Sequence, residues 1–490
     1  MSKISVNYRA ILRIIGIIIF IIGVSMIIPW VYSEVVKDQD AERAFRICIP
    51  ITVVLGAAVI LAAGNTPHAK FRAREGYIIV AACWLTASII GAFPFYLSDF
   101  TNNYIDAFFE STSGFTTTGC SAAANGVLSD SLLLWKALIH WLGGMGILVF
   151  VISILPALGI NGHFIAKAET PGPVVEKVTV RMSDSAKILY ITYLSLTLME
   201  FVLLMLSGKM NAFDAIVNTM GSISTGGLTV HPDGVAHYDS VYVEIVIASF
   251  CILSSINFVL YHNLVSGRPA LFFKDIELRV HIIIIFAAVI ICTYALIVFN
   301  DLSFGSALRE SFFQVVSMST TTGYARNPSI IWPTICQIIF LALLFIGGCA
   351  ASTSGSLKVI RVIIMMKLIW RGCIKRIHPR SVVAVKLGGK SLSVDLVTSI
   401  TTFIFAYIGI FILSAFILSF QGLDLESTIT ITISALSNTG VSFEGPTVLG
   451  DFSIFHPLLK LYISGMMIMG RLELFTIIVL FTKTFWGKNR

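Results

Sequence analysis

Apolar runs set the organisation of this chain. Ten stretches, near 11–32, 45–64, 77–98, 131–158, 187–207, 241–265, 281–299, 332–369, 394–420 and 456–482, approach or exceed the roughly 20 residues that a helix needs to cross a bilayer. Few folds are open to such a sequence. In hydrocarbon every backbone amide must be satisfied internally, so the runs are predicted to be helices and the chain an all-α polytopic membrane protein. Composition agrees: of 490 residues, 56% are hydrophobic and 12% charged, with a mean hydropathy of +0.88. A soluble enzyme this apolar would expose large patches, and a disordered chain is excluded. The first run follows Lys3, Arg9 and Arg13 as in a signal peptide. It is long, and no small-x-small cleavage site follows Trp30, so a retained helix is expected.

The charges lie between the runs, and an even number of spans puts both termini on one side. A cytoplasmic N-terminus collects Lys3, Arg9, Arg13, Lys70, Arg72, Arg74, Lys167, Lys177, Arg181, Lys187, Arg268, Lys274 and Arg279 on that face. It also collects the basic segment from Lys358 to Lys390, then Lys483, Lys488 and Arg490. These are most of the 34 Lys and Arg residues, so the positive-inside rule predicts both termini in the cytoplasm. The net charge of +7 therefore reflects membrane orientation. Basic patches interleaved with aromatics, as in nucleic-acid binders, are absent. The cysteines (Cys48, Cys83, Cys120, Cys251, Cys292, Cys336, Cys349, Cys373) are scattered, with no CxxC or Cys/His cluster. They read as reduced, small hydrophobes without a metal or disulfide framework.

A fourfold repeat lies between the later spans, on their outer side. The segments Asp106–Cys120, Asp214–Leu228, Glu310–Tyr324 and Ser427–Val441 align on Gly119, Gly227, Gly323 and Gly440. The three residues before each glycine are Thr116, Thr117 and Thr118; Ser224, Thr225 and Gly226; Thr320, Thr321 and Thr322; and Ser437, Asn438 and Thr439. Six before it stand Ser113, Gly221, Ser317 and Ser434, all small. Ten before it are Phe109, Val217 and Phe313, with Thr430 departing from the pattern. Each segment is too short and polar to span. The acid or serine at its start suits a short helix's N-terminus, and the hydroxyl-rich tetrapeptide reads as non-helical backbone. Such backbone at membrane depth is tolerated only inside protein or beside water. One segment alone would read as an ordinary outer loop. Four in register predict a unit of helix, half-helix, extended Thr/Gly turn and helix, repeated four times after two extra N-terminal helices.

Four such half-helices around an axis aim their negative C-terminal ends at a common centre. The turns that follow can present rings of carbonyls, which replace the hydration shell of a monovalent cation. The rings lack carboxylates, against a divalent-cation filter, and lack Lys and Arg, against anions.

On these tetrapeptides, together with WLGGMG at 141–146, GGCAASTSGSLK at 347–358 and GRLELF at 470–475, the chain resembles the Trk/Ktr/HKT superfamily of potassium transporters, and within it the TrkH family. The resemblance covers nearly the whole chain. It implies a fourfold pseudo-symmetric, potassium-channel-like pore in one subunit. The implied units are an extra helix pair (1–70) and pore repeats at 71–165, 166–270, 271–380 and 381–490. The four tetrapeptides would hold a potassium ion, with no covalently bound cofactor. Gly119 in the first repeat favours potassium over sodium, and Asn438 is the least filter-like of the set. The resemblance further implies a homodimer in the bacterial inner membrane and a cytosolic, nucleotide-binding regulatory subunit, a TrkA-like ring. No GxGxxG or P-loop fingerprint occurs here, so nucleotide control would come from that partner.

The run 347–356 interrupts the eighth span with Gly347, Gly348, Ser352, Thr353, Ser354 and Gly355. On residues alone it reads equally as a broken helix or as a small-residue packing face. The resemblance favours an intramembrane gate loop below the filter. Arg471 lies in the apolar stretch SGMMIMGRLELFTIIVLF, where a cation is costly. It is expected to face the pore near that loop; the alternative is an ion pair with Glu473 or Glu200. The segment from Lys358 to Lys390 carries nine basic residues and no acid, which suits anionic membrane lipid or the regulatory subunit. His140 and Trp141 are expected to pack structurally, with Gly143, Gly144 and Gly146 permitting close approach. Two rivals remain at this level. One is a sodium- or proton-coupled symporter, for which Glu200 is the isolated intramembrane carboxylate. The other is a membrane enzyme built on His140 or His262, which lacks a second catalytic partner.

Overall fold

Long helices are interspersed with short ones from the fourth helix onward. The structure, a computed structural model, describes residues 7–64, 73–101, 103–122, 128–146, 182–231, 233–326, 331–388, 390–440 and 452–486. Helices α1 (Tyr8–Ser25) and α2 (Ile27–Val36) run on through Met26 and are followed by α3 (Gln39–Ala63). Then come α4 (Ala73–Leu97), α5 (Tyr104–Phe115), α6 (Asp130–Gly144), α7 (Met182–Leu206), α8 (Ala212–Ile223), α9 (Val241–Ser255), α10 (Phe258–Val265) and α11 (Pro269–Lys274). The remainder are α12 (Ile276–Asn300), α13 (Phe304–Ser319), α14 (Thr334–Ile346), α15 (Val359–Ile377), α16 (Val394–Leu418), α17 (Leu425–Ser437), α18 (Pro457–Arg471), α19 (Phe475–Ile478) and α20 (Lys483–Trp486). A two-stranded antiparallel hairpin, Lys386–Leu387 with Lys390–Ser391, follows α15. Among the described residues, six helical stretches are long and apolar enough to cross a membrane, and eight if each sharply bent pair is one span. The chain is a polytopic, all-α membrane protein.

Four sets, each of a 25-residue helix, a short helix of 12 to 16 residues and a third helix of 13 to 15, follow the N-terminal helices: α4–α5–α6, α7–α8–α9, α12–α13–α14 and α16–α17–α18. The last helix of each set packs on the short helix of the next: α6 on α8, α9 on α13, α14 on α17, and α18 back on α5. The contacts therefore close into a ring. One apolar cluster runs through the second, third and fourth sets. A second packs α1 and α3 onto α4, α5 and α6.

The short helices begin at side-chain caps. Asn103, Asn211, Ser303 and Asp424 accept from the amides of Ile105, Asp214, Ser306 and Ser427 at 3.0, 2.7, 3.4 and 3.0 Å. Each satisfies a first-turn donor that the helix itself cannot. The expected starting residues are thereby corrected. Asp106, Asp214 and Ser427 are third in their helices, where a carboxylate still meets the positive dipole end. Glu310 lies further inside, because α13 starts one turn earlier, at Ser303.

Two runs expected as single spans are broken, and the run 332–369 breaks at the Gly/Ser/Thr segment expected to interrupt it. The 241–265 run turns by 95° between α9 and α10, and 456–482 turns by 110° after Arg471. The 332–369 run is two helices joined by non-helical residues 347–358. Its break is built from positive φ at Gly347, Ala351, Ser356 and Lys358. The 131–158 run is helical to Gly144, and 147–158 lie outside the described residues. Also outside them are Lys3, Lys70, Arg72, Lys167, Lys177, Arg181, Val441, Lys488 and Arg490, and the unit boundaries expected at 70/71 and 165/166. All eight cysteines are free thiols; seven are buried and Cys373 is exposed.

The basic segment divides in two. Lys358 and Arg361 are buried, and Arg361 pairs with Glu473 at 2.6 Å under the ring of Phe403. Lys375, Arg376, Arg380 and Lys386 are exposed. Only the latter fit the expected surface role.

Candidate functional site

Every short helix ends in the same turn. The amides of Thr118, Gly226, Thr322 and Thr439 donate to the carbonyls of Ser113, Gly221, Ser317 and Ser434 at 2.8, 2.8, 2.9 and 2.9 Å. This is the six-to-one closure that commonly terminates a helix around a left-handed residue. That residue is Thr117, Thr225, Thr321 or Asn438, with φ of 57, 54, 57 and 57°. Asparagine adopts this conformation readily, whereas β-branched threonine there stores on the order of 1–3 kcal/mol of strain. Asn438, the odd member by sequence, thus takes the common backbone form. Its Nδ2 also donates to Thr118 Oγ1 at 3.1 Å and to Met467 O at 2.8 Å.

The column of small residues has a geometric cause. Ser113 Oγ and Ser317 Oγ donate to the carbonyls of Cys120 and Tyr324, each at 2.7 Å. A Cβ on Gly221 would lie 2.8 Å from Leu228 O. In these three units the sixth residue back therefore faces the carbonyl just after the tetrapeptide and has room for little else. Hydroxyls flanking the left-handed residue pair with each other: Thr116 with Thr118, Thr320 with Thr322, and Ser437 with Thr439, at 2.8, 2.7 and 2.8 Å.

The four glycines close a second ring at the centre. Each has positive φ, from 66 to 88°. A Cβ on Gly119 would lie 2.3 Å from Gly226 O; on Gly227, 2.2 Å from Thr322 O; on Gly323, 2.0 Å from Thr439 O; and on Gly440, 2.0 Å from Thr118 O. Each glycine abuts the carbonyl of the next unit, in cyclic order, and no side chain fits between them. All sixteen tetrapeptide residues are brought into this one assembly. The second unit departs locally. It has glycine where the others have threonine, and the buried His140 ring fills the space, with Nδ1 2.2 Å from where a Cβ on Gly226 would stand. Gly143 lies against Phe115, whose carbonyl would be 1.8 Å from an added Cβ. Trp141 donates to Thr197 Oγ1 at 3.1 Å.

Buried and half-buried ion pairs surround the ring. Buried Lys136 pairs with Glu110 and donates to Cys120 O at 2.9 Å, one residue beyond Gly119. Lys460 pairs with Asp106 at 2.9 Å. Glu244 receives Arg309 at 2.7 Å and Arg326 at 2.9 Å, and Arg326 also pairs with Glu310. The sequence reading assigned none of these pairs.

The interrupted segment of the third unit lies against the inner ends of the tetrapeptides. Gly355 N donates to Thr321 Oγ1 at 2.8 Å, and a Cβ on Gly355 would lie 1.9 Å from Ser437 O. Its neck closes where Val359 N donates to Gly348 O at 3.0 Å. Ser352 Oγ donates to Cys349 O at 2.6 Å, Thr353 Oγ1 to Ser254 O at 3.0 Å, and Lys358 Nζ to Ser354 O. Gly347 carries φ +69° at the end of α14. Arg471, at the bend after α18, donates to Thr353 O at 2.7 Å and to Gly143 O and Gly144 O at 2.6 and 2.5 Å. Glu473 pairs with Arg361, and Glu200 accepts from Ser222 Oγ at 2.6 Å. His262 sits away from this assembly, on α10 beside Ser266.

A family model described as TrkH, cation transport protein, matches residues 41–488. The chain is 35% identical over 485 residues to the Trk system potassium uptake protein TrkH of Escherichia coli strain K12, covering 98% of this chain and 99% of that one. It is 30% identical over 484 residues to the Trk system potassium uptake protein TrkG of the same organism, again covering 98% and 99%. The crystal structure of the potassium transporter TrkH from Vibrio parahaemolyticus is similar at a TM-score of 0.86 and 31% identity, covering 98% of this chain and 100% of that one.

Proposed function

The chain belongs to the TrkH family of cation transport proteins, and from that premise we propose that it is a potassium uptake protein of the bacterial cytoplasmic membrane, with both termini in the cytoplasm. It is a transporter, not an enzyme. Potassium, stripped of water, passes through the ring formed by the four tetrapeptides. The observation that carries this reading is the closed cycle of glycine-to-carbonyl contacts around Gly119, Gly227, Gly323 and Gly440. Backbone carbonyls held at one radius by their neighbours substitute for a hydration shell, and their number and spacing select among monovalent cations. Glycine is required because both the positive φ and the neighbouring carbonyl exclude a Cβ.

The loop 347–356 is the gate on the cytoplasmic side, and Arg471 adds a positive barrier beside it. A homodimer of such subunits works with a cytosolic nucleotide-binding regulatory subunit, a TrkA-like ring. The exposed Lys375, Arg376, Arg380 and Lys386 supply a face for that partner or for anionic lipid. Purified protein in liposomes tests the reading. Rubidium influx well above sodium influx, driven by voltage alone, is expected; equal influx of the two removes potassium selectivity. A coupled symporter is the second reading, favoured by the fully buried Glu200 against Ser222 on α8. It requires rubidium influx to depend on an imposed proton or sodium gradient at fixed voltage.

A further inference from the structure

We propose that Glu277 is the positioning residue that holds the gate loop closed, by clasping it at both feet. The inference rests on the reading of 347–356 as a gate. Glu277 is the second residue of α12, the first long helix of the third unit, and is 5% exposed. Its Oε1 accepts from Ala350 N at 2.8 Å and from Ile360 N at 3.0 Å. One amide begins the protruding part of the loop. The other lies in the first turn of α15, just after the loop ends. A single carboxylate oxygen thus joins the two strands of the loop from outside it.

The chemistry explains why a carboxylate stands there. Helix α15 starts at Lys358, which has φ 75° and makes no side-chain cap. The Ile360 amide is one of the donors a helix start leaves unsatisfied, and Glu277 caps it from another helix at the positive end of the dipole. Both amides are satisfied by this one buried oxygen, and an orphaned buried amide is costly. One turn along α12, His281 Nε2 lies 3.0 Å from Ser255 Oγ, and the Ser255 carbonyl accepts from Cys349 N at 2.9 Å. The cytoplasmic end of α12 therefore grips the loop directly through Glu277 and indirectly through the end of α9. A loop that leaves the pore must release both amides from Oε1. A displacement of α12 there, by whatever binds the cytoplasmic face, is transmitted to the loop by these bonds.

The test uses rubidium flux through the full-length protein in liposomes. Glu277→Ala should raise basal flux about tenfold, because bonds present only in the closed state are lost. The rubidium-to-sodium ratio should stay at its original value. Glu277→Gln, whose amide oxygen can still accept from both amides, should restore most of the closure. In a variant with the loop shortened, Glu277→Ala should add nothing further. A shortened loop that raises flux while Glu277→Ala leaves it at the wild-type level overturns the clasp and spares the gate. A shortened loop that leaves flux unchanged in folded protein removes the gate itself. A Gln variant as leaky as Ala overturns the hydrogen-bond assignment. Should the Ala variant not fold, Glu277→Asp decides: its carboxylate, withdrawn by one methylene, cannot reach both amides. Raised flux then supports the clasp, and wild-type flux defeats it.

Discussion

The amide of Gly355 donates to the hydroxyl of Thr321 over 2.8 Å, so the loop beneath the ring and the third tetrapeptide share a hydrogen bond. Thr321 is itself held in the left-handed region at φ 57°. The loop and the ring are therefore joined at a residue whose backbone is already under strain.

That bond makes Thr321 separable from its role in the ring. Thr321→Val keeps the shape and removes the acceptor, leaving the Gly355 amide buried without this partner, at a cost of about 1–3 kcal/mol in the closed state. Basal rubidium flux should rise by roughly tenfold or more. Thr321→Ser retains the oxygen and should stay closed. Equal flux in the Val and Ser variants would show that the bond does not help to shut the pore.

Gly119 tests the ring. A side chain at this position meets both a φ of 88° and the carbonyl of Gly226, 2.3 Å from the added Cβ. Gly119→Ser should push that carbonyl out of register, lowering the rubidium-to-sodium permeability ratio while the protein still reaches the membrane. Gly440→Ser, which crowds Thr118 O, should act in the same direction. Bi-ionic flux measurements on both variants decide the matter, and unchanged ratios would falsify the filter assignment.

Lys136 and Glu110 form a buried pair behind the first tetrapeptide. Removing one partner leaves an uncompensated charge in low dielectric and should cost about 3–5 kcal/mol. Lys136→Met and Glu110→Gln should therefore each lower thermal stability strongly. The double variant should recover much of it, since no charge is left unpaired. Cys120 O would still lack its lysine, so altered ion selectivity is expected in the stabilised double variant. A double variant as unstable as the sum of the singles would mean that the two residues do not act as a pair.

Much of this was legible in the sequence because it is local. Hydrophobic period and length mark the long helices. The recurrence of small residues at Ser113, Gly221, Ser317 and Ser434 reflects a turn that each unit must make for itself. Glycine at 119, 227, 323 and 440 follows from positive φ and close approach. What could not be read depends on distant partners. Lys136 meets Glu110 across 26 positions, and Glu277 meets Ala350 across 73. A charge within an apolar run announces a burial cost but not which group offsets it. Glu310 was misplaced for a different reason: alignment on the glycines assumes helices of equal length, and α13 begins one turn early at its Ser303 cap. The two sharp bends after Ser255 and Arg471 occur within apolar runs, so apolar patterning alone reads through them, whereas the break after Ile346 is marked by its run of Gly, Ser and Thr.

Arg471 carries the last prediction. Its guanidinium reaches the loop through Thr353 O and the end of α6 through Gly143 O and Gly144 O, and lies 6.0 Å from the Trp84 ring. It thus ties the loop to the first unit and, on the proposed reading, places a positive charge beside the ion route. At an effective dielectric near 20, two unit charges about 4 Å apart repel by roughly 4 kcal/mol, and water along the route reduces that considerably. Arg471→Ala removes both the barrier and the tie, so rubidium uptake should rise. The barrier reading expects a stability loss smaller than the about 3–5 kcal/mol that breaking a buried ion pair costs. Arg471→Lys keeps the charge but cannot span three carbonyls with a planar fork, so its uptake should fall between wild type and Ala. Uptake and thermal stability measured on the same preparations separate the possibilities. Higher uptake at modest stability loss supports a barrier built from Arg471. Unchanged or lower uptake with a large stability loss would reassign the residue to holding the fold together.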